Sequence, residues 1–238
     1  MVPTQKTARI AGFLFLLMVV TGLFAEMFFR QGLFTGGVAV TANNILSHPF
    51  LYRAGVLSDL VMSTAYLFTA LALYKLLVSV NKSLASLMVL FAAAGAVLLL
   101  MNVLNEFAPL YILQSRSPSG ALSPAQLTDM AMLSYTAYNH GYMIGQIFFA
   151  LWVLPLGLLI WRSKFIPKVF GALFVAETVC GLLSVAAHFL LGDAALETAL
   201  LLPGTVAEMT FLLWLLIRGI NPSKVPAPLR ADGYAPAA

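Results

Sequence analysis

The amino-acid sequence predicts an all-α protein, a polytopic transmembrane bundle of six helices. Three observations support this prediction: 61% of the 238 residues are hydrophobic, 9% are charged, and the apolar residues fall into six long runs. A soluble domain carries about a quarter charged residues, so this chain cannot cover a soluble globule with a polar surface. The composition therefore excludes a soluble enzyme, a nucleic-acid-binding domain and a disordered protein.

Each apolar run is long enough to span about 30 Å of hydrocarbon at about 1.5 Å per residue. Because a backbone inside lipid must satisfy its own hydrogen bonds, these runs are predicted to be helices. The predicted spans are Ile10–Phe29, Leu51–Leu77, Leu84–Leu113, Tyr135–Trp161, Pro167–Leu191 and Thr198–Ile217. The first is expected to be a retained helix, since its apolar core is long for a signal peptide and no small-residue cleavage site follows it.

The connecting segments also carry local signals. The segment Val38–Leu46 is expected to form a small interfacial helix. Ser123, Pro124 and Gln126 match an N-cap, a first helical position and an N3 position, so the fourth helix is predicted to start near Pro124. Residues 1–220 are predicted to form the six-helix domain, and residues 221–238, which are rich in proline and small residues, a disordered cytoplasmic tail.

The basic residues predict the orientation of the chain. If the N-terminus is cytoplasmic, ten Lys and Arg residues lie inside and only Arg30, Arg53 and Arg116 lie outside. This bias predicts that both termini are cytoplasmic in a multi-pass protein of the cell membrane. The cations are scattered singly, so the expected partner is the lipid bilayer and not a nucleic acid. The single cysteine, Cys180, offers no disulfide.

Ionisable residues inside the predicted spans need an explanation, because each costs at least roughly 2.5–3.5 kcal/mol on insertion scales. There are seven of them: Glu26, Asp59, Glu106, His140, Glu177, His188 and Glu208. Counted from the inner helix ends, Glu177 and Glu208 lie near the midplane and the others in the outer third. This one-sidedness predicts a polar cavity that opens to the outer face.

Helical phase places one stripe of polar and small residues on every span, and the simplest bundle turns all six stripes inward. The predicted ligand-binding residues are Glu26, Asp59, Asn102, Asn105, Glu106, Glu177, His188 and Glu208, with Arg53 and His140 as additional candidates. The function expected from them is binding or transport of a small polar or lipid ligand. The alternative is that the stripes only pack helices together, with the acids protonated or paired with Arg30 and Arg53. Glu26 and Arg30, spaced i,i+4, are themselves suited to pair.

Two further functions stay open. One is an intramembrane enzyme that uses a metal or haem held by His140 and His188. The sequence contains no familiar zinc or nucleophile motif, so no catalytic residue, metal ligand or cofactor is predicted and an enzyme is not favoured. The other is a structural or regulatory partner protein. Its helices, or two copies of the chain, would associate through Gly141 and Gly145, which form a GxxxG pattern.

The sixth span contains a potential helix break, because Pro203 and Gly204 lie just before Glu208. Broken helices beside ionisable groups hold ions and substrates in transporters. The alternative is a plain proline kink.

Several short stretches carry a resemblance to a known family. They are Ala8–Gly12, Val20–Gly22, Leu57–Leu60, Asn102–Asn105, His140–Gly145 and Leu202–Glu208. Through them the chain resembles a bacterial family of six-helix integral membrane proteins of unknown function, domain of unknown function 4386. The likeness covers nearly all of the chain except the tail. It implies the six-helix architecture and no activity, and it adds weight to Asp59, Asn102, Asn105, His140 and Glu208.

Overall fold

The computed structural model describes residues 2–115 and 122–225, and these residues form helices and turns without a strand. The helices are α1 (Gln5–Leu33), α2 (Val38–Ser47), α3 (Pro49–Leu77), α4 (Lys82–Gln114), α5 (Pro124–Ser163), α6 (Lys168–Leu191) and α7 (Ala194–Ile217). A 3₁₀ turn, Pro222–Lys224, follows α7. The predicted all-α class is therefore confirmed.

Within the described residues, every helix except α2 is long and apolar enough to cross a membrane, which gives six candidate spans. Large apolar side chains cover much of their surface; Leu90, Leu104 and Ile217 are 63%, 67% and 70% exposed. Such a surface would be unfavourable in water, whereas it is the normal surface of a protein in lipid. The chain is thus a multi-pass membrane protein. The cytoplasmic position of both termini and the choice of membrane stay predictions.

The start of α5 follows the prediction closely. The amide of Gln126 donates to Ser123 Oγ at 3.3 Å, and the amide of Ser123 donates to Gln126 Oε1 at 2.8 Å. This reciprocal pair is a capping box, which satisfies two amides at the N-terminus of the helix. The short helix expected at Val38–Leu46 is also present, as α2.

Other boundaries differ from the sequence predictions. The first helix continues beyond Phe29 to Leu33, through a π-helical turn at Ala25–Arg30. The last span runs through Pro203 as one helix. Of the predicted tail 221–238, residues 226–238 lie outside the described residues, as does Arg116.

The described residues form two compact units. Unit 1 comprises residues 2–16, 65–96 and 144–225, and unit 2 comprises residues 17–64, 97–115 and 122–143. The helices α1, α3, α4 and α5 contribute residues to both units. The predicted polar residues are accordingly divided between the units.

Unit 1 has an aromatic core of Phe15, Trp152, Phe174 and Phe211, all fully buried. The rings of Phe15 and Trp152 meet edge to face with centroids 6.3 Å apart, and those of Phe174 and Phe211 with centroids 5.1 Å apart. Edge-to-face pairs of this kind are favourable beyond the area they bury.

Glycines bring two helices of unit 1 into direct backbone contact. A Cβ added at Gly157 would lie 2.8 Å from the carbonyl oxygen of Gly171, and the reverse substitution would give the same distance. Small residues at such a crossing allow the close approach on which membrane helices rely.

Unit 2 has a separate hydrophobic core, formed by Phe29, Leu33, Ile45, Tyr52, Val56, Val103 and Leu110. Gly55 lies against Phe29 so closely that a Cβ there would overlap the aromatic ring. Polar contacts reinforce this packing, since Ser58 Oγ donates to the carbonyl of Thr21 at 2.9 Å. The core fixes the end of α1 against α3. Because Arg30 follows the buried Phe29 directly, this packing also positions Arg30.

Candidate functional site

Arg30 is the centre of a polar cluster in unit 2. Its Nη1 donates to Asp59 Oδ2 at 2.6 Å and to Glu106 Oε1 at 2.8 Å, while its Nε donates to Glu26 Oε2 at 2.8 Å. Nη1 also lies 2.9 Å from the hydroxyl oxygen of Tyr138. Side chains from four helices therefore meet at one guanidinium, and we call this group the Arg30 centre.

The Arg30 centre is mostly buried. Asp59 and Glu106 are 3% and 0% exposed, whereas the side chain of Glu26 is 51% exposed. Burying a charge is expensive unless it is paired and hydrogen-bonded, so the close contacts to Arg30 stabilise the two inner carboxylates. The centre reaches the surface of unit 2 through Glu26.

A π-helical turn carries both Glu26 and Arg30. It covers Ala25–Arg30, and its last residues are held because Phe29 is fully buried against Gly55. A π-helical turn replaces i→i+4 hydrogen bonds by i→i+5 bonds, and such turns are frequent at functional sites. The expected pair of Glu26 and Arg30 is confirmed. Both residues lie in the π-helical turn and not in a regular α-helix.

Polar residues of α4 position the other side of the centre. Asn102 Nδ2 donates to the carbonyl of Tyr138 at 2.8 Å, and Asn105 Nδ2 donates to Asn102 Oδ1 at 3.1 Å. Gly141 leaves room for this contact, since a Cβ there would overlap the Asn102 amide. The Tyr52 hydroxyl donates to the backbone carbonyl of Glu106. Asn102, held in turn by Asn105, thus positions Tyr138 beside Arg30.

A row of aromatic rings continues from the Arg30 centre. Phe34 and Tyr135 stack with centroids 3.6 Å apart, and the centroids of Tyr135 and Tyr138 lie 6.0 Å apart. The guanidinium carbon of Arg30 lies 5.7 Å from the Tyr138 centroid. Aromatic faces at this distance attract cations, so the row adds to the negative character of the site.

Two further predicted acids, Glu177 on α6 and Glu208 on α7, belong to unit 1. A Cβ added at Gly204 would lie 2.8 Å from Glu177 Cγ and 3.3 Å from its Oε1, so Glu177 packs directly on α7. Glu208 lies one turn beyond Gly204 on the same helix face. The two carboxyl groups are therefore neighbours, and neither forms an ion pair with any residue that the structure describes.

His188 pairs with Glu197, which is not among the predicted site residues. Its Nδ1 lies 2.9 Å from Glu197 Oε2, and the hydroxyl of Ser184 donates to the Glu197 carbonyl at 3.1 Å. His188 lies in a second π-helical turn, Ala187–Leu191, just before the tight α6–α7 connection. The shortness of that connection is the signal that could have identified Glu197.

The structure thus separates the predicted residues into groups. It brings Glu26, Asp59 and Glu106 together, and it places Arg53 and His140 at exposed positions. Arg30 and Tyr138 are not among the predicted site residues, and the sequence predicts Arg30 only as a pairing partner of the acids. A single cavity shared by all the acids, open to the outer face, stays a prediction.

Metal binding by the predicted histidines has little geometric support. Within residues 2–115 and 122–225, no group of three or more His, Cys, Asp or Glu side chains is placed to hold a metal ion. Among the described residues, His140, His188 and an acid therefore do not form the group that the alternative metal site requires. Association of two copies through Gly141 and Gly145 stays a prediction, with Gly141 already packed against Asn102.

Comparison with known proteins assigns the family. The family model described as Domain of unknown function (DUF4386) matches residues 10–219. The chain therefore belongs to this family, as its resemblance predicted. It matches no curated protein and no solved structure. The family description carries no activity, so the function has to be argued from the geometry of the sites.

Proposed function

We propose that this member of the DUF4386 family binds or transports a small polar ligand at the Arg30 centre, and that the ligand carries a positive charge. The charge balance of the centre is the observation that carries this proposal. One guanidinium faces the three acidic side chains of Glu26, Asp59 and Glu106, so the acidic groups outnumber the cation by two. Ionisable groups buried in a membrane protein are expensive and are therefore functional candidates.

Free acceptor atoms support a ligand that donates hydrogen bonds. Asp59 Oδ1 and Glu106 Oε2 are buried, and neither accepts a hydrogen bond from the described residues. A buried acceptor without a donor costs about 1–3 kcal/mol. An ammonium group offers three donors and a positive charge, so it suits acceptors of this kind.

The aromatic row favours the same class of ligand. Stacked rings of Tyr135 and Tyr138 lie next to the acidic centre, where the Tyr138 ring already attracts the guanidinium of Arg30. Ring faces attract ammonium groups, by about 2 kcal/mol or more where water is excluded. Carboxylates and aromatic faces in combination are typical of a site for an organic amine.

Glu26 supplies the proposed route of entry because half of its side chain is exposed. Under the predicted orientation, Glu26 and Arg30 lie toward the outer face, so the ligand would arrive from outside the cell.

A ligand screen on the full chain in lipid nanodiscs tests the proposal. The probes are ethylamine, putrescine and choline, with acetate and glycerol as probes of similar size without a positive charge. We expect at least one amine to raise the thermal unfolding temperature, because a ligand that binds only the folded state stabilises it. Uptake of that amine into proteoliposomes then separates transport from binding.

Matched variants locate the binding. The stabilisation by amines should disappear in Asp59→Asn and in Glu106→Gln and should persist in Asp129→Asn, which changes an exposed carboxylate of the same unit. If no amine stabilises the wild-type protein, or if both buried variants keep the full effect, the Arg30 centre is a structural tie between helices and the proposal is wrong.

A further inference from the structure

A second polar group lies in unit 1 and has no part in the proposed function. It consists of Glu177 on α6, Glu208 on α7 and Tyr66 on α3, and we call it the acid pair with Tyr66. Gly204 lets the two acidic helices approach each other. The Tyr66 hydroxyl interacts electrostatically with both Glu177 and Glu208. Three oxygen-bearing side chains from three helices of unit 1 therefore influence one another electrostatically.

Unpartnered polar atoms mark this group as more than an acidic cluster. Glu177 Oε2, Glu208 Oε1 and the Tyr66 hydroxyl are all buried and form no hydrogen bond with the described residues. Tyr66 is fully buried, and Glu177 is 8% exposed. Buried side-chain polar atoms have a partner in the large majority of cases. Three such atoms in one electrostatically linked group indicate a bound species that supplies the missing partner.

The acidic character of the group indicates that the bound species is positively charged. Neither carboxyl has an ion-pair partner among the residues that the structure describes. A buried carboxylate must be paired, or must take up a proton. Hard cations prefer oxygen ligands, and calcium takes about 6–8 of them. The three oxygen-bearing side chains here fall well short of a calcium shell, and a small monovalent cation is the simplest occupant.

We infer that the acid pair with Tyr66 binds one small monovalent cation, either a proton or a sodium ion. A proton would be held on one carboxyl and shared with the other carboxylate or the tyrosine oxygen. A sodium ion would be held by the two carboxylates and the hydroxyl oxygen. In both cases the bound cation supplies the positive charge that the described residues of unit 1 do not provide at this point.

Two measurements on the full chain in nanodiscs distinguish the two cations. The first replaces tetramethylammonium chloride stepwise by sodium chloride at constant ionic strength and follows the unfolding temperature. The second records the infrared carbonyl band of protonated carboxyl groups in the absence of sodium. A sodium site predicts sodium-specific stabilisation. A proton site predicts a protonated carboxyl band without sodium-specific stabilisation.

Variants assign either signal to this group. Glu177→Gln and Glu208→Gln should each abolish sodium-specific stabilisation or remove the infrared band. Tyr66→Phe, which removes only the hydroxyl, should weaken sodium binding about tenfold or shift the band. Glu197→Gln makes the same chemical change on α7 and should keep both signals. Asp59→Asn should keep them too, so a failure of the Arg30 proposal is recognised separately.

The inference is overturned if the wild-type protein shows neither sodium-specific stabilisation nor a protonated carboxyl band. It is also overturned if the signal survives in both Glu177→Gln and Glu208→Gln. If one of these variants does not fold, the other glutamine variant and Tyr66→Phe still decide the result, because each removes an oxygen from a different helix.

Discussion

Unit 1 and unit 2 bury carboxylates under different electrostatic conditions. In unit 2, Asp59 and Glu106 both bond to Arg30 within 2.8 Å. In unit 1, Glu177 and Glu208 lie together without an ion pair among the described residues. Buried acidic side chains therefore have different roles in the two units: those of unit 2 pair with a cation, and those of unit 1 do not pair with any described residue. A neutral substitution breaks an existing pair in unit 2, whereas in unit 1 it removes a group for which the described residues provide no partner.

Removing the cation of unit 2 should have the largest effect. Arg30→Met leaves the buried carboxylates of Asp59 and Glu106 without a counter-charge, so we expect a loss of about 3–5 kcal/mol in the free energy of unfolding. Denaturant unfolding in nanodiscs measures this loss. Arg53→Met is the control, since Arg53 is exposed in the same unit and should change stability by about 0.5 kcal/mol or less. A loss in Arg30→Met no larger than in the control would contradict the paired character of unit 2.

Removing one carboxylate of unit 2 should have a smaller effect, because Arg30 keeps its other partners. We expect Asp59→Asn and Glu106→Gln each to lose about 1.5–3 kcal/mol, the range for hydrogen bonds to charged groups. The same unfolding measurement with Asp129→Asn as the exposed control checks this. Combining either substitution with Arg30→Met should cost less than the sum of the two, since the residues act on one network. Strict additivity would show that the contacts to Arg30 contribute little.

Glycine-to-alanine variants compare how tightly the helices pack in the two units. Gly55→Ala in unit 2 forces a methyl group into the buried ring of Phe29, and overpacking of this kind costs about 1–3 kcal/mol. Gly204→Ala in unit 1 meets the side chain of Glu177, which can turn away, so its loss of unfolding free energy should be smaller. Gly22→Ala, whose nearest contact would be Met62 Cγ at 3.4 Å, serves as the control without overlap. Equal losses in all three variants would remove this distinction.

The smallest effect is expected for the acid pair of unit 1 in sodium-free buffer. Glu208→Gln keeps the size of the side chain and removes a charge that has no pair, so its free energy of unfolding should stay within about 1 kcal/mol of the wild type. Glu197→Gln, which alters a partner of His188, should lose more. If Glu208→Gln is as damaging as Asp59→Asn, unit 1 contains a counter-charge beyond the contacts described for it.

Local features of the fold were predictable from the sequence. The capping box of Ser123 and Gln126 depends on residues three apart, and the Glu26–Arg30 pair depends on residues four apart. Such contacts follow from helical geometry alone. The six spans were predictable too, because their length and apolar character suffice to identify them.

The composition of the Arg30 centre was not predictable in the same way. The sequence predicts Arg30 only as an outer cation and as a partner of Glu26, since the apolar run ends at Phe29 although the helix continues to Leu33. No periodicity in α1 signals the π-helical turn. The contacts of Arg30 with Asp59 and Glu106 depend on how α1, α3 and α4 pack in unit 2, and only the structure gives that arrangement.

The most direct test of the difference between the units compares two double variants in the same sodium-free nanodiscs. Asp59→Asn with Glu106→Gln removes both inner carboxylates of unit 2, and Glu177→Gln with Glu208→Gln removes the acid pair of unit 1. We predict that the first loses several kcal/mol of unfolding free energy, since Arg30 stays behind as a buried, poorly paired cation, and that the second stays near the wild type. Equal losses, or a larger loss in the unit 1 variant, would contradict this difference.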